Sequence, residues 1–196
     1  PIKSSAASDV YKRQIGERAS MSGEDASRAD ISIPGVQEEL VQALLDTGKP
    51  VVVVLMNGRP LTISKLTEQV PAIVEGWFLG TETGNAIADV LLGKYNPSGK
   101  LTMSFPRNVG QIPVFYNYRQ SGRPGTDKLT KWTNRFIDSP VSPLYPFGYG
   151  LSYTTFSYSA PRVSQKEFST NEILKVSVDV TNTGPVSYTH LTLPTT

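Results

Sequence analysis

The run VVVVLM at residues 51–56 constrains the fold more than any other stretch of this chain. It is apolar throughout and mostly β-branched, with no polar alternation. It is far shorter than the roughly twenty residues a membrane span needs. Length and composition fit a strand covered on both faces, as strands in parallel sheets are.

The flanking sequence agrees. Pro34 precedes GVQEELVQALLDTGK, in which Val36, Leu40, Val41, Leu44 and Leu45 fall at helical spacing and Gly48 closes the helix. Asn57-Gly58 turns the chain at the far end of the run. A short helix is predicted over residues 64–68 and a strand over PAIVEGWF, residues 71–78. TETGNAIADVLLGKY reads as a helix, with Thr81 or Thr83 as N-cap and Gly93 near its stop. NPSG then turns into KLTMSFP, a further strand in which Leu101, Met103 and Phe105 alternate. Residues 15–105 therefore read as an α/β fold, a mainly parallel sheet sandwiched by helices. In such sheets, loops at the carboxyl ends of the strands hold the ligands.

Residues 106–159 differ. Pro106, Pro113, Pro124, Pro140, Pro143 and Pro146 are scattered among glycines and aromatics with little periodicity. This is an extended strap and linker, of a length that is usually functional or wraps a neighbouring surface. Its run LYPFGYGLSYTTFSYS fits either a packed interdomain strap or a sugar-stacking platform. From residue 160 a β segment begins. In ILKVSVDVTNTG (173–184) Leu174, Val176, Val178 and Val180 alternate with polar residues, as in a half-buried strand of an antiparallel sandwich. About twenty-five residues cannot complete such a domain, so this segment is truncated.

The two ends fit neither neighbour. A buried strand should lead into the loop at Gly16, yet residues 1–14 are polar with isolated apolar side chains. PIKSSAASDVYKRQ and PVSYTHLTLPTT also resemble peptides translated from sequencing-adapter DNA. Residues 1–14 and 185–196 are thus expected to be non-native tails, and the sheet to be incomplete, without its first strand. No signal peptide is visible, and Pro1 is not a natural start.

Composition removes several function classes. Nineteen basic and seventeen acidic residues leave a net charge of +2, with no basic stripe, which disfavours nucleic acid as a partner. With no cysteine there are no disulfides and no thiolate metal sites. His190 has no His or Cys neighbour in the sequence and is not a metal or catalytic candidate. The glycines of WFLGTETGNA do not match a dinucleotide fingerprint. NGRP and NPSG read as turns, not as phosphate-binding loops.

Five ordered blocks carry a family resemblance: GERASMSGEDASRADISIP, GKPVVVVLMNGRPL, GWFLGTETGNAIADVLLGKYNPSGKLTMSFPR, VGQIPVFYN and LYPFGYGLSYT. Together they resemble the C-terminal α/β sandwich of glycoside hydrolase family three, the β-glucosidase type. The segment that follows, residues 160–184, resembles the start of a fibronectin-type-III-like domain. The resemblance implies a retaining glycosidase, periplasmic or secreted, whose aspartate nucleophile lies in an N-terminal (β/α)8 barrel of the same chain. In this subtype the general acid/base is the glutamate of an SGE…SR motif, here Ser22-Gly23-Glu24 and Ser27-Arg28. The implied partner is a β-linked oligosaccharide or glycoside, with no metal or organic cofactor. Sugar and linkage preference would rest mainly on the barrel.

The chemistry suits that placement. A retaining glycosidase needs a carboxylic acid that protonates the leaving oxygen and then, as a carboxylate, deprotonates water. Glu24 is that group by resemblance, and Asp25 would be if the motif were shifted by one residue. Arg28 either orients the loop through Asp25, Asp30 or Glu17, or contacts sugar directly. Asp30, just before ISIP, reads as a structural hydrogen-bonder. Glu17 either shapes the site or is a loop carboxylate paired with an arginine. Trp77 and Phe78 either line a sugar subsite or pack between sheet and helix. Two rival readings remain: a non-catalytic carbohydrate-binding or structural module of the same fold, and a flavodoxin-like domain. The latter leaves the strap unexplained and lacks a phosphate loop.

Overall fold

The computed structural model describes residues 11–120, 122–127 and 131–184; residues 1–10 and 185–196, with His190, lie outside the described set. The described residues form two compact units. One comprises residues up to Ala88 together with Lys100–Tyr149; the other comprises Asp89–Gly99 and the residues from Gly150 onward.

The first unit is built on a three-stranded parallel sheet in the order β1 (Tyr11–Gly16), β2 (Val51–Met56), β3 (Ala72–Glu75). The valine run is the middle strand, with Val51, Val53, Val54 and Leu55 all buried. The expectation that the sheet lacks a strand ahead of Gly16 is corrected. The backbone of Tyr11–Gly16 pairs in parallel with Val51–Met56 despite its polar sequence. A backbone ladder needs only N–H and C=O groups, so polar residues can form an edge strand.

Helix α1 (Gln37–Leu45) is amphipathic as predicted. Val41 is its buried residue and Leu44 and Leu45 pack on the core, while Val36 and Leu40 are exposed. Gly48, in the left-handed region at φ +72°, ends the helix. The helix start is tied to β1 by Gln37, whose Oε1 accepts the Gly16 N–H at 2.8 Å and whose Nε2 donates to the Gly16 and Pro34 carbonyls. Gly16 itself is obligatory, because a Cβ there would lie 2.1 Å from the Met56 carbonyl oxygen. Helix α2 (Ser64–Gln69) buries Leu66, and α3 (Thr83–Leu91) follows β3.

Residues 101–105 are not a fourth sheet strand, which corrects that expectation. They pair instead with the strap: Leu101 N–H donates to the Tyr149 carbonyl at 2.8 Å, Phe105 N–H to Tyr145 at 2.8 Å and Gly148 N–H to Leu101 at 2.7 Å. The predicted alternation survives at two of its three residues, since Leu101 is partly buried against the core. Phe105 is buried against Trp77 and Tyr145, and Met103 is exposed. The strap is held by two polar hubs. Buried Gln111 donates from Nε2 to the carbonyls of Pro140, Val141 and Ser142. Asp127 accepts the Val141 and Ser142 N–H groups and the Ser142 hydroxyl, which hold its carboxyl below the ordinary range.

In the second unit, β4 (Phe156–Tyr158) pairs antiparallel with β7 (Val180–Asn182), and β5 (Arg162–Val163) with β6 (Val176–Ser177). The single half-buried strand expected over 173–184 is thus two short ones, with Val176 and Val178 exposed. The break falls at Asp179. Its carboxylate takes a bidentate pair from Arg162, while its N–H and C=O bond Ser159.

Placing Phe105 in the core and Met103 in solvent predicts unequal costs. Phe105→Ala should destabilise the chain by about 3–5 kcal/mol, and Met103→Ala by no more than about 0.5 kcal/mol. Urea denaturation measures both; equal shifts of the midpoint would refute the placement.

Candidate active site

The three parallel strands end side by side, and each continues into a polar residue. After β1 comes Glu17, after β2 come Asn57, Gly58 and Arg59, and β3 itself ends on Glu75, two residues before Trp77.

Glu17 organises the group. Its side chain is sealed from solvent and faces two guanidinium groups. Arg28 Nη1 donates to Oε1 at 2.7 Å, and Arg59 Nε lies 3.0 Å from Oε1 and 3.3 Å from Oε2. The Gly58 N–H adds a bond to Oε2 at 3.2 Å. The second nitrogens of both arginines reach loop carbonyls. Arg59 Nη2 donates to Met21 and Ala26, and Arg28 Nη2 to Ser32. A buried carboxylate is thereby neutralised by two cations that also stitch the loop of residues 17–30 to the strand ends. Removing one partner of such a pair leaves the other charge without its counter-ion.

Glu24 stands at the tip of that loop, exposed. The backbone on either side has positive φ, Gly23 at +120° and Asp25 at +58°. The first needs glycine, and aspartate is among the few other residues that adopt the second readily. Asp30 is structural: Oδ1 accepts the Ser32 N–H at 2.9 Å and its hydroxyl at 2.7 Å, which hold the carboxyl below its ordinary range. Arg28, of the partners the sequence allowed, takes Glu17.

Trp77 is half-buried, with φ +51° and its ring 5.7 Å from that of Phe105, so it packs on the core. Phe78 is exposed and reaches the loop. A Cβ on Gly58 would lie 1.9 Å from Ser22 Oγ and 2.9 Å from Phe78 Cε2, so both side chains converge there. Sequence reading missed Arg59, Asn57 and Glu75. NGRP was legible as a turn, but nothing in it shows that its arginine turns back onto Glu17. Glu75 gives a weak signal, as a carboxylate closing an apolar strand.

A parallel sheet whose strand-end loops converge on an anchored loop with an exposed carboxylate defines an α/β domain with its candidate site at the carboxyl ends of the strands. The model of the glycosyl hydrolase family 3 C-terminal domain matches residues 2–153. The chain belongs to that family. It is 52% identical over 184 residues to a periplasmic beta-glucosidase of Salmonella typhimurium, covering 93% of this chain and 24% of the relative. It is 48% identical over 180 residues to a beta-xylosidase of Formosa agariphila, covering 92% of this chain and 24% of that protein. A crystal structure of the beta-glucosidase from Listeria innocua in complex with glucose superposes with a TM-score of 0.83 at 43% identity, over 91% of this chain and 25% of that one. The chain thus spans about a quarter of the length of the relatives it matches.

The convergence at Gly58 predicts a paired effect. Gly58→Ala should destabilise by about 1–3 kcal/mol through overpacking, and adding Ser22→Gly should recover most of the loss. Denaturation of both variants tests this; a double variant no better than the single would remove Ser22 as the obstacle.

Proposed function

We propose that this chain is part of a retaining glycoside hydrolase acting on terminal β-linked glucosyl or related residues, and that Glu24 is its general acid/base. The observation that carries this is the anchored loop. Glu24 projects from a segment fixed at Glu17, Met21, Ala26 and Ser32 by two arginines, at the edge of a parallel sheet where ligand-binding loops gather. The names of the Salmonella and Formosa relatives supply the two sugar classes, and the first of them the proposed periplasmic or secreted location.

Double displacement needs a second carboxylate roughly 5–5.5 Å from the first. In this reading that nucleophile is an aspartate in an N-terminal barrel outside this chain, and the barrel also shields Glu24 from bulk water. Arg28 contributes at the rim of the sugar site mainly by holding the loop. Trp77 forms the apolar floor beside it, and Phe78 the exposed face. The chain alone lacks the nucleophile and should show no turnover.

The test uses the complete enzyme. Glu24→Ala should lower turnover of an aryl β-glucoside with a poor leaving group by about 10²–10⁴-fold. It should spare a substrate with a good leaving group far more, and azide should restore turnover as a β-glycosyl azide. Equal, small effects on both substrates, without azide rescue, would reject Glu24.

A further inference from the structure

The two ends of the segment that carries Glu24 meet at one side chain. Gln37, half-buried, is the first residue of α1, and its carboxamide bonds outside that helix. Oε1 accepts the Gly16 N–H at 2.8 Å, while Nε2 donates to the Gly16 carbonyl at 2.9 Å and to the Pro34 carbonyl at 2.7 Å. Gly16 precedes residues 17–33 and Pro34 follows them, so a single amide closes the base of that segment. Both of its donor hydrogens and its acceptor are engaged.

The two bonds to Gly16 act on different peptide units. The Gly16 N–H belongs to the unit shared with Ile15, and its C=O to the unit shared with Glu17. Holding both restrains rotation on either side of the Gly16 Cα. Glycine is otherwise the residue freest to rotate, and Gly16 sits at φ +132°. The second of these units also carries the Glu17 N–H, which donates to the Met56 carbonyl at 2.9 Å. The peptide that aims Glu17 is thus held by β2 on one side and by Gln37 on the other. Among the described residues β1 is an edge strand, and the amide supplies the donor and acceptor that a residue of a neighbouring strand would offer. Its orientation matters: turned over, the amide would set its oxygen against two carbonyl oxygens, and an ionised glutamate of the same length does so whichever way it turns.

We propose that Gln37 is a positioning residue of the site: by tying Gly16 to Pro34 it sets the direction in which Glu17 leaves β1, and so delivers the Glu17 carboxylate to Gly58, Arg59 and Arg28. The link from there to catalysis rests on the reading of Glu24 above; the link from Gln37 to Glu17 does not. Glu17 is the residue that both arginines hold, and Gln37 touches neither of them in the ion-pair cluster. Its influence on the cluster runs through the backbone of Gly16.

The experiment compares NMR spectra and hydrogen exchange of this chain as wild type, Gln37→Glu and Gln37→Leu. In the wild type both Gln37 side-chain hydrogens should exchange at least about tenfold more slowly than those of exposed glutamines. Gln37→Glu keeps the length and an acceptor for the Gly16 N–H but loses both donors; Gln37→Leu loses every bond. In each, the Gly16 and Gly58 amide signals should shift, and amides in residues 19–32 should lose protection by about tenfold or more while β2 amides keep theirs. Gly58 is the deciding signal. It lies two residues past β2 and bonds Glu17 Oε2, not Gln37, so loosening a tie between α1 and β1 alone would leave it in place. The proposal is overturned if the Gly58 amide does not move in a folded variant. It is equally overturned if the wild-type Gln37 hydrogens exchange as fast as exposed ones, a result that decides even if neither variant folds. None of these signals comes from Glu24, so a failure of the acid/base reading and a failure of this one are separately visible.

Discussion

The structure around the strand ends depends on one buried anion. Glu17 follows the last residue of β1, and its carboxylate has no access to water. An isolated charge there would be untenable, and one arginine would leave lone pairs without donors. Arg28 and Arg59 together with the Gly58 N–H supply the donors. Because both guanidinium groups are also spent on backbone carbonyls, neutralising Glu17 and fixing the loop of residues 17–30 are one event.

The apolar and polar halves of the first unit divide the work. Val53, Leu55, Leu61 and Phe105 fill the interior and fix the strands relative to one another. That rigidity lets three consecutive strand ends present Glu17, Asn57 and Glu75 at defined spacing: Glu17 accepts the Gly58 N–H, Asn57 donates to the Arg59 carbonyl and Glu75 accepts the Trp77 N–H. Glycine appears where this crowding demands it. Gly16 passes the Met56 carbonyl and Gly58 passes Ser22, and neither leaves room for a Cβ.

Much of this was legible in the sequence, and the failures have physical causes. The valine run, the helix closed by Gly48 and the loop bearing Glu24 follow from local pattern and turn chemistry, and β2, α1 and the positive φ of Gly23 bear them out. Residues 101–105 misled because alternation records which side chains are buried, not which partner strand completes the ladder; the partner was the strap. The strand at Tyr11–Gly16 was invisible because its pairing is made by backbone, which composition does not report. In the site, Glu17 and Arg28 were marked as possible partners, whereas Arg59, forty-two residues from Glu17, closes the cluster through a tertiary contact that no local pattern encodes.

The claim that most of the account rests on is that Glu17 fixes the Glu24 loop. Native-state hydrogen exchange on the wild type and Glu17→Gln tests it directly. The substitution keeps the shape of the side chain and removes the charge that draws both arginines. If the clamp operates as described, amides in residues 19–32 lose protection by about tenfold or more, equivalent to roughly 1.4 kcal/mol of local opening, while β2 amides keep theirs. Unchanged protection in the loop, or an equal loss across the loop and β2, would show that Glu17 does not act on the loop in this way.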